Sequence, residues 1–91
     1  MNELHDTLEA MVTIVNKRGL HARAAARFAT LSAGFQSHVL VRHGSLQANG
    51  KSIMSLMMLA APLGSTLHIQ ARGEDRQAVL AALKKPGGCP L

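Results

Sequence analysis

Aromatic residues, cysteine and long apolar runs are scarce in this chain of 91 residues. It has no tryptophan, no tyrosine and two phenylalanines, although 47% of its residues are apolar. Its core must therefore be aliphatic, and it offers few rings on which nucleic-acid bases could stack. The single cysteine, Cys89, excludes an internal disulfide. The longest apolar stretch, 53–63, is interrupted by Ser55 and Pro62 and is too short to span a bilayer.

Carboxylates are also few, and they lie only towards the two ends of the sequence. None falls between Glu9 and Glu74, while the formal net charge is +5. The cations inside that interval are Lys17, Arg18, Arg23, Arg27, Arg42, Lys51 and Arg72. Such a surface suits an acidic protein, a phosphate group or nucleic acid. Catalysis by paired carboxylates and carboxylate-bound metals are disfavoured, and we expect no metal site.

Strand-like and helix-like segments alternate along the chain. Strands are predicted at 8–15, 38–42, 45–48 and 66–71, and helices at 22–33, at about 53–59 and from Glu74 to Lys85. In the last strand Leu67, Ile69 and Ala71 alternate with polar residues, which predicts a sheet covered on one face. The order β-α-β-β-α-β-α predicts an α+β fold, an open-faced two-layer sandwich with three helices on one face of a four-stranded antiparallel sheet.

Neither a repeat nor a domain boundary is visible in the sequence. We expect one domain over 1–91, with a core of about 8–85 and loose segments at 1–7 and 86–91. The first residues are acidic and lack the apolar segment of a secretory signal. We therefore expect a cytoplasmic monomer without membrane insertion.

His21 lies where the loop 16–20 becomes the predicted helix 22–33. The first N–H groups of a helix have no intrahelical partner, and the helix dipole adds about half a positive charge there. Such an end binds anions, phosphate above all, and Arg23 can add a forked cationic donor. An isolated loop histidine usually has no function, but these neighbours indicate a histidine that carries a phosphoryl group.

Two motifs resemble the histidine-containing phosphocarrier protein (HPr) family of the bacterial phosphotransferase system. The first is Gly-Leu-His-Ala-Arg at 19–23, preceded by Asn16 and Lys17. The second is Lys-Ser-Ile-Met at 51–54, about thirty residues after His21. The predicted element order agrees with that family as well, and the resemblance covers roughly 8–83.

The resemblance implies a function and a set of partners. In that family the histidine accepts a phosphoryl group on Nδ1 from phosphorylated enzyme I and passes it to an enzyme II component. His21 would then be the phosphoacceptor and Arg23 its phosphate-binding partner, in a carrier that needs no cofactor and is not a stand-alone enzyme. The acceptor would be an A-type enzyme II component. Ser52 matches the serine that a dedicated kinase phosphorylates in some members, so a serine kinase and phosphorylase are further candidate partners.

A docking surface for these partners is predicted from two groups of residues. Lys17, Arg18 and Arg27 are expected to steer an acidic partner together with Arg23. Helical spacing places four large apolar side chains on one face, namely Ile53, Met54, Met57 and Met58. Such a stripe is usually core, but a short helix cannot bury all four, so we expect Ile53 and Met54 to be partly exposed. We expect Ser52 to cap this helix, and Ile53, Met54 and Met57 to contact a partner.

Three positions depart from the family pattern. Ala24 stands where proline is usual, which leaves an additional N–H free. Ser55 replaces a common glycine, and Pro86 ends the last helix earlier than in relatives. The other histidines, His5, His38, His43 and His68, show no metal-like spacing and are expected on the surface.

A small basic nucleic-acid-binding module is the alternative function. The scarcity of aromatic residues argues against it, and so does the hairpin that separates the first two helices, which does not fit a helix-turn-helix. An ATP-using enzyme is disfavoured because Gly50-Lys51-Ser52 lacks the earlier glycine of a P-loop. The sequence leaves open whether the carrier serves sugar uptake or a nitrogen-related regulatory branch.

Overall fold

The computed structural model describes residues 7–84, and these form the seven predicted elements in the predicted order. The strands are β1 (Thr7–Thr13), β2 (His38–His43), β3 (Leu46–Asn49) and β4 (Thr66–Arg72), and the helices are α1 (Ala22–Ala33), α2 (Ile53–Met57) and α3 (Arg76–Lys84). The sheet order is β1-β4-β2-β3, with every neighbouring pair antiparallel. The predicted bounds of α1 are confirmed.

The core lies between one face of the sheet and the three helices. Leu67, Ile69 and Ala71 of β4 are fully buried, as their alternation with polar residues predicts. The same buried cluster contains one fully buried side chain from each helix, namely Phe28, Leu56 and Val79. Burial of each large apolar side chain contributes about 1.5–3 kcal/mol. Because one face of the sheet is covered by the three helices, the predicted open-faced sandwich is confirmed.

The predicted bounds of β1 and α2 are wrong by about two residues. β1 starts at Thr7, which pairs with Arg72 instead of belonging to a loose leader. It ends at Thr13 because β4 starts at Thr66, the partner of Thr13. α2 ends at Met57 rather than at residue 59, since Leu59 N–H and Ala60 N–H donate to carbonyl groups three residues earlier, at 3.1 Å each. This tighter turn leads into Ala60, whose φ is +49°.

The last helix begins at Arg76 and not at Glu74, and no acid lies in its first turn. Asp75 instead turns its carboxylate towards the segment after α1. It accepts hydrogen bonds from Gln36 N–H and Ser37 N–H at 2.8 Å each, and from the Ser37 hydroxyl. The Ser37 hydroxyl, followed by the Gln36 N–H, holds the pKa of Asp75 below its ordinary value.

Several predictions fall outside the described residues. They are the loose segments 1–6 and 86–91, Lys85 as the basic end of the last helix, Pro86 as its early stop, His5 and Cys89. Within 7–84, none of the helices is long and apolar enough to cross a membrane.

Candidate functional site

The loop before α1 is held in one conformation by its own polar groups and by the segment after α2. Asn16 accepts from Arg18 N–H through Oδ1 at 3.0 Å and from Gly19 N–H through its carbonyl at 2.9 Å. Leu20, which is buried, donates its N–H to the Ala61 carbonyl at 2.9 Å. Gly19 has φ +68°, and a Cβ there would lie 2.5 Å from Ala61 O. The loop therefore requires glycine at this position.

His21 is the residue that precedes the first turn of α1. Its backbone is extended, with φ −81° and ψ 179°, and its carbonyl accepts from Ala25 N–H at 2.8 Å. The imidazole is half-buried and does not cap the helix. Its Nδ1 lies 3.2 Å from Gly19 O. A carbonyl only accepts, so this contact is a hydrogen bond only when Nδ1 carries the ring proton.

The backbone N–H groups next to His21 lack acceptors. Ala25 is the first residue of α1 to donate back along the helix, and among residues 7–84 no acceptor is in reach of the N–H groups of Ala22, Arg23 and Ala24. The first turn contains no acidic side chain that could supply one. Alanine at position 24 keeps an N–H that proline would remove. Three donors and the positive end of the helix dipole are thus available to an anion.

The four predicted cations surround the histidine. Together with His21 they line a depression of about 540 Å³, whose cationic members are Lys17, Arg18, Arg23 and Arg27. All four are exposed, no carboxylate lines the depression, and none of their side chains forms an ion pair within 7–84. The predicted grouping of these residues around His21 is therefore present in the structure.

The apolar stripe of α2 faces solvent. Met54 and Met58 are 77% and 78% exposed, Ile53 and Met57 are 42% and 43% exposed, and only Leu56 of this helix is buried. The usual assignment of such a stripe to the core is therefore wrong here, whereas the predicted exposure of Ile53 and Met54 is confirmed. Ser52 accepts from Ser55 N–H through Oγ at 3.3 Å, so the predicted cap is also present.

Two supporting contacts were not apparent in the sequence. The first is the hydrogen bond from Leu20 N–H to the Ala61 carbonyl, which fixes the histidine loop. In the second, the Lys51 ammonium donates to the Phe35 carbonyl at 2.7 Å, just beyond the end of α1. Both contacts join segments that are far apart in sequence, and no local pattern indicates them. Lys51 thereby supplies the cation that a helix C-terminal end favours.

The remaining described histidines lie apart from this depression. His38 is exposed, His43 is half-buried with Nδ1 3.3 Å from Leu59 O, and His68 contacts the Glu9 carboxylate across the open face of the sheet. Among residues 7–84 no group of three or more His, Cys, Asp or Glu side chains is arranged to hold a metal ion.

Comparison with known proteins identifies the family. The model of the PTS HPr component phosphorylation site matches residues 8–86. The chain belongs to the HPr family. The phosphocarrier protein HPr of Cupriavidus necator is 45% identical over 76 residues, which cover 84% of this chain and 85% of that protein. The phosphocarrier protein NPr of Shewanella violacea is 40% identical over 76 residues, 84% of each chain.

A solved member of the HPr family has the same fold. The crystal structure of an HPr from Bacillus anthracis superposes with a TM-score of 0.81 at 33% identity, over 86% of this chain and 93% of that one. HPr proteins are phosphoryl carriers of the phosphotransferase system and not stand-alone catalysts. The segment that matches the family model contains both His21 and Ser52.

Proposed function

We propose that His21 accepts a phosphoryl group on Nδ1 from phosphorylated enzyme I and passes it to an A-type enzyme II component. The observation that carries this proposal is the position of the half-buried imidazole directly before three N–H groups that have no acceptor within 7–84. The exposed cations of the depression, which no carboxylate of residues 7–84 lines, favour the same ligand, a phosphoryl group.

The transfer needs a lone pair on Nδ1. In the tautomer with the ring proton on Nδ1, that atom donates a hydrogen bond to Gly19 O at 3.2 Å. Attack requires the other tautomer, which has the proton on Nε2 and no hydrogen bond to Gly19 O. The Nδ1 lone pair then forms the new bond to phosphorus, while the bond between phosphorus and the donor atom breaks and its electron pair returns to the donor. In the second transfer the acceptor attacks phosphorus and the Nδ1 electron pair returns to the ring.

The site is suited to a group that must be released again. The N–H groups of the first turn and the exposed Arg23 can each stabilise the phosphoryl dianion by about 0.3–1 kcal/mol, as charge at a helix end typically does. A deeply buried site with several paired cations would bind the group more tightly and slow its departure. Arg23 thus acts as a phosphate-binding residue, and the amides retain part of the effect when Arg23 is removed.

Partner docking uses two surfaces, the cations of the depression and the exposed stripe of α2. Lys17, Arg18 and Arg27 attract an acidic partner over long range, while Ile53, Met54 and Met57 supply exposed apolar area on α2. Flexible methionine side chains adapt to more than one partner, which a carrier with a donor and an acceptor needs. The protein would act in the cytoplasm as a monomer, without cofactor or metal.

Ser52 is a regulatory site in this proposal. It lies at the start of α2, directly before the exposed stripe that begins at Ile53. Phosphorylation by a serine kinase would add about two negative charges there. The helix cap would survive, because phosphate oxygens accept hydrogen bonds as the hydroxyl does, and the added charge would repel an acidic partner. A phosphorylase would restore the hydroxyl.

The direct test is labelling of the full chain with phosphoenolpyruvate and enzyme I. His21→Ala should abolish acid-labile, base-stable phosphate while the circular dichroism spectrum is unchanged. His43→Ala is the matched control, since His43 is also half-buried and also has Nδ1 next to a carbonyl oxygen. It should be labelled like the wild type. Acid-labile phosphate that persists in His21→Ala would overturn the assignment.

A further inference from the structure

A cavity of about 820 Å³ lies on the open face of the sheet, on the side that the helices do not cover. Leu40 of β2 forms part of its wall, while the strand neighbours Val39 and Val41 are buried in the core. No residue of this open-face cavity lines the depression around His21. Six lining residues have side chains that can contact a ligand, namely His38, Leu40, Asn49, Lys51, Gln70 and Arg72.

The strand register brings these side chains together. Arg72 lies opposite His38, and Leu40 lies opposite both Gln70 and Asn49. Side chains opposite each other on one face have Cβ atoms about 4.5–5.5 Å apart, and successive rows on a face are about 7 Å apart. The two rows therefore form one surface of the size of a small molecule.

Lys51 adds its ammonium group at one end of the cavity. It donates to the Phe35 carbonyl at 2.7 Å, and Phe35 lies three residues before His38. The ammonium is thus at the same end as His38 and Arg72. An ammonium has three donors, of which this bond uses one.

Several further donors of the cavity have no acceptor. Asn49 accepts from Lys51 N–H through Oδ1 at 2.9 Å, but its Nδ2 has no partner among residues 7–84. Within the same part of the chain, no hydrogen-bond partner is in reach of the Gln70 amide or the His38 ring. These groups are available to a ligand that offers oxygen atoms.

The charges at the cavity favour an anion. Lys51 and Arg72 are among its lining residues, and no carboxylate of residues 7–84 lines it. Glu9 lies on the same face opposite Gln70, but its carboxylate contacts His68 in the next row. A concave surface with cations and without carboxylates attracts negatively charged ligands.

The volume and the lining define the class of ligand. Pockets of about 300–1,000 Å³ hold small organic molecules, so the cavity has room for more than a single ion. Amide groups can bond hydroxyl groups, and the half-buried Leu40 offers an apolar contact for ring carbons. Neither phenylalanine lines the cavity, so it has no ring on which a nucleobase could stack.

We infer that the open-face cavity binds a sugar phosphate. The phosphate lies at the end formed by Lys51, His38 and Arg72, and the sugar hydroxyl groups bond the amides of Asn49 and Gln70. The inference goes beyond the proposed function and does not depend on it, because the cavity and the depression around His21 have no residue in common.

The test is an amide NMR titration of the full chain with glucose 6-phosphate, inorganic phosphate and adenosine monophosphate at about pH 8, where a phosphate monoester is a dianion. At Leu40, Asn49 and Gln70, glucose 6-phosphate should bind at least about fivefold more tightly than the other two, because only it can use both the cations and the amides. Ala22, Arg23 and Ala24 serve as the internal reference. They should respond alike to glucose 6-phosphate and inorganic phosphate, since that site holds only the phosphoryl group.

Two variants address the two ends of the ligand. Asn49→Asp keeps the acceptor for Lys51 N–H but replaces the Nδ2 donors by a negative charge, and should weaken glucose 6-phosphate binding about fivefold or more. Gln47→Glu is the matched control, since it adds the same charge to the same face of β3 outside the cavity, and should change binding less than about twofold. Gln70→Leu should weaken glucose 6-phosphate about threefold and leave inorganic phosphate unchanged.

Three outcomes would overturn the inference. Equal affinity of the cavity amides for glucose 6-phosphate and inorganic phosphate would show a general anion surface. Tighter binding of adenosine monophosphate would show that the ligand class is wrong. Equal effects of Asn49→Asp and Gln47→Glu would show that only net charge matters. None of these results bears on labelling of His21, which tests the proposed function separately.

Discussion

Backbone N–H groups at the two ends of α1 are treated in opposite ways. Before the first turn, the N–H groups of Ala22, Arg23 and Ala24 have no acceptor within 7–84. After the last turn, the N–H groups of Gln36 and Ser37 are both taken up by the Asp75 carboxylate. Among residues 7–84, the first end has cations and no acid in its first turn or in the depression, whereas the second end has its acid supplied by a distant part of the chain.

This contrast separates groups that stabilise the fold from groups kept free for a ligand. A buried or half-buried donor without an acceptor reduces stability. The C-terminal end of α1, whose following N–H groups are bonded to Asp75, therefore contributes to folding, and we call it the saturated end. The N-terminal end, whose N–H groups have no acceptor within 7–84, lacks that contribution but can bind an external anion, and we call it the open end. On this account, changes at the Asp75 end should alter stability and leave phosphoryl transfer intact, while changes beside His21 should alter transfer.

Gly19→Ala should have the largest effect on both stability and labelling, because it displaces the loop that holds His21 before α1. Alanine at φ +68° costs about 1–2 kcal/mol, and its Cβ would also lie 2.5 Å from Ala61 O, so the loop must shift. We expect a loss of stability of at least about 2 kcal/mol and severe loss of labelling.

Gly44→Ala is the control, with φ +62° but nothing within 4 Å of the added Cβ. It should lose only about 1–2 kcal/mol and be labelled normally, as urea denaturation and the labelling assay would show. Normal labelling of Gly19→Ala would show that the loop need not be fixed.

Asp75→Ala should lower the melting temperature by several degrees and leave the rate of His21 phosphorylation unchanged. The variant leaves Gln36 N–H and the Ser37 groups without their acceptor, whereas Glu74→Ala removes an exposed neighbouring acid and serves as the control. A melting temperature equal to that of Glu74→Ala would contradict the role of the carboxylate in the saturated end.

The same residue gives a prediction for pH. The pKa of Asp75 is lowered in the folded protein below the ordinary value of 3.8, so its contribution to stability is present above pH 3.8 and is lost as the pH falls through the lowered pKa. The stability difference between wild type and Asp75→Ala, measured by urea denaturation, should therefore shrink at pH values well below 3.8. A difference that is constant with pH would contradict the lowered pKa.

Arg23→Ala should have the smallest effect, a two- to fivefold decrease in the rate of phosphorylation, since an exposed cation at a helix end contributes about 0.3–1 kcal/mol. Arg42→Ala is the matched control, because it removes the same charge from the open face of the sheet. The initial rate of labelling by phosphoenolpyruvate and enzyme I, measured in samples quenched at timed intervals, compares the two variants. Equal rates for the two variants would show that Arg23 acts only through the net charge of the protein.

The sequence predicted the open end of α1 far better than the saturated end. His21, Arg23 and the start of the helix follow from local patterns, namely a glycine-containing loop, a histidine and an alanine-rich segment, and local patterns govern where a helix begins. Glu74 and Asp75 fit an equally local rule, that acids favour helix starts, and it was misleading here. Asp75 instead binds two N–H groups 38 and 39 residues away. Nothing in its sequence neighbourhood indicates those partners.

The support of the histidine loop and the exposure of α2 show the same limit. The motif at 19–23 identifies Gly19, but the close approach of this glycine to Ala61 depends on how the turn after α2 packs. The apolar stripe of α2 matches the pattern of a core helix, yet with only five residues the helix buries a single side chain, Leu56. Helix length and tertiary contacts, which periodicity does not specify, decided the outcome at both places.

The central claim is that the free N–H groups at the start of α1 hold a phosphoryl group on His21, and amide NMR of the phosphorylated protein tests it most directly. Spectra recorded before and after incubation with phosphoenolpyruvate and enzyme I should show downfield proton shifts at Ala22, Arg23 and Ala24, with phosphorus coupled to Nδ1 of His21. Gln36 and Ser37, already bonded to Asp75, should not shift. Unchanged amide proton shifts at the three first-turn residues after phosphorylation, or coupling of phosphorus to Nε2 instead of Nδ1, would contradict the central claim.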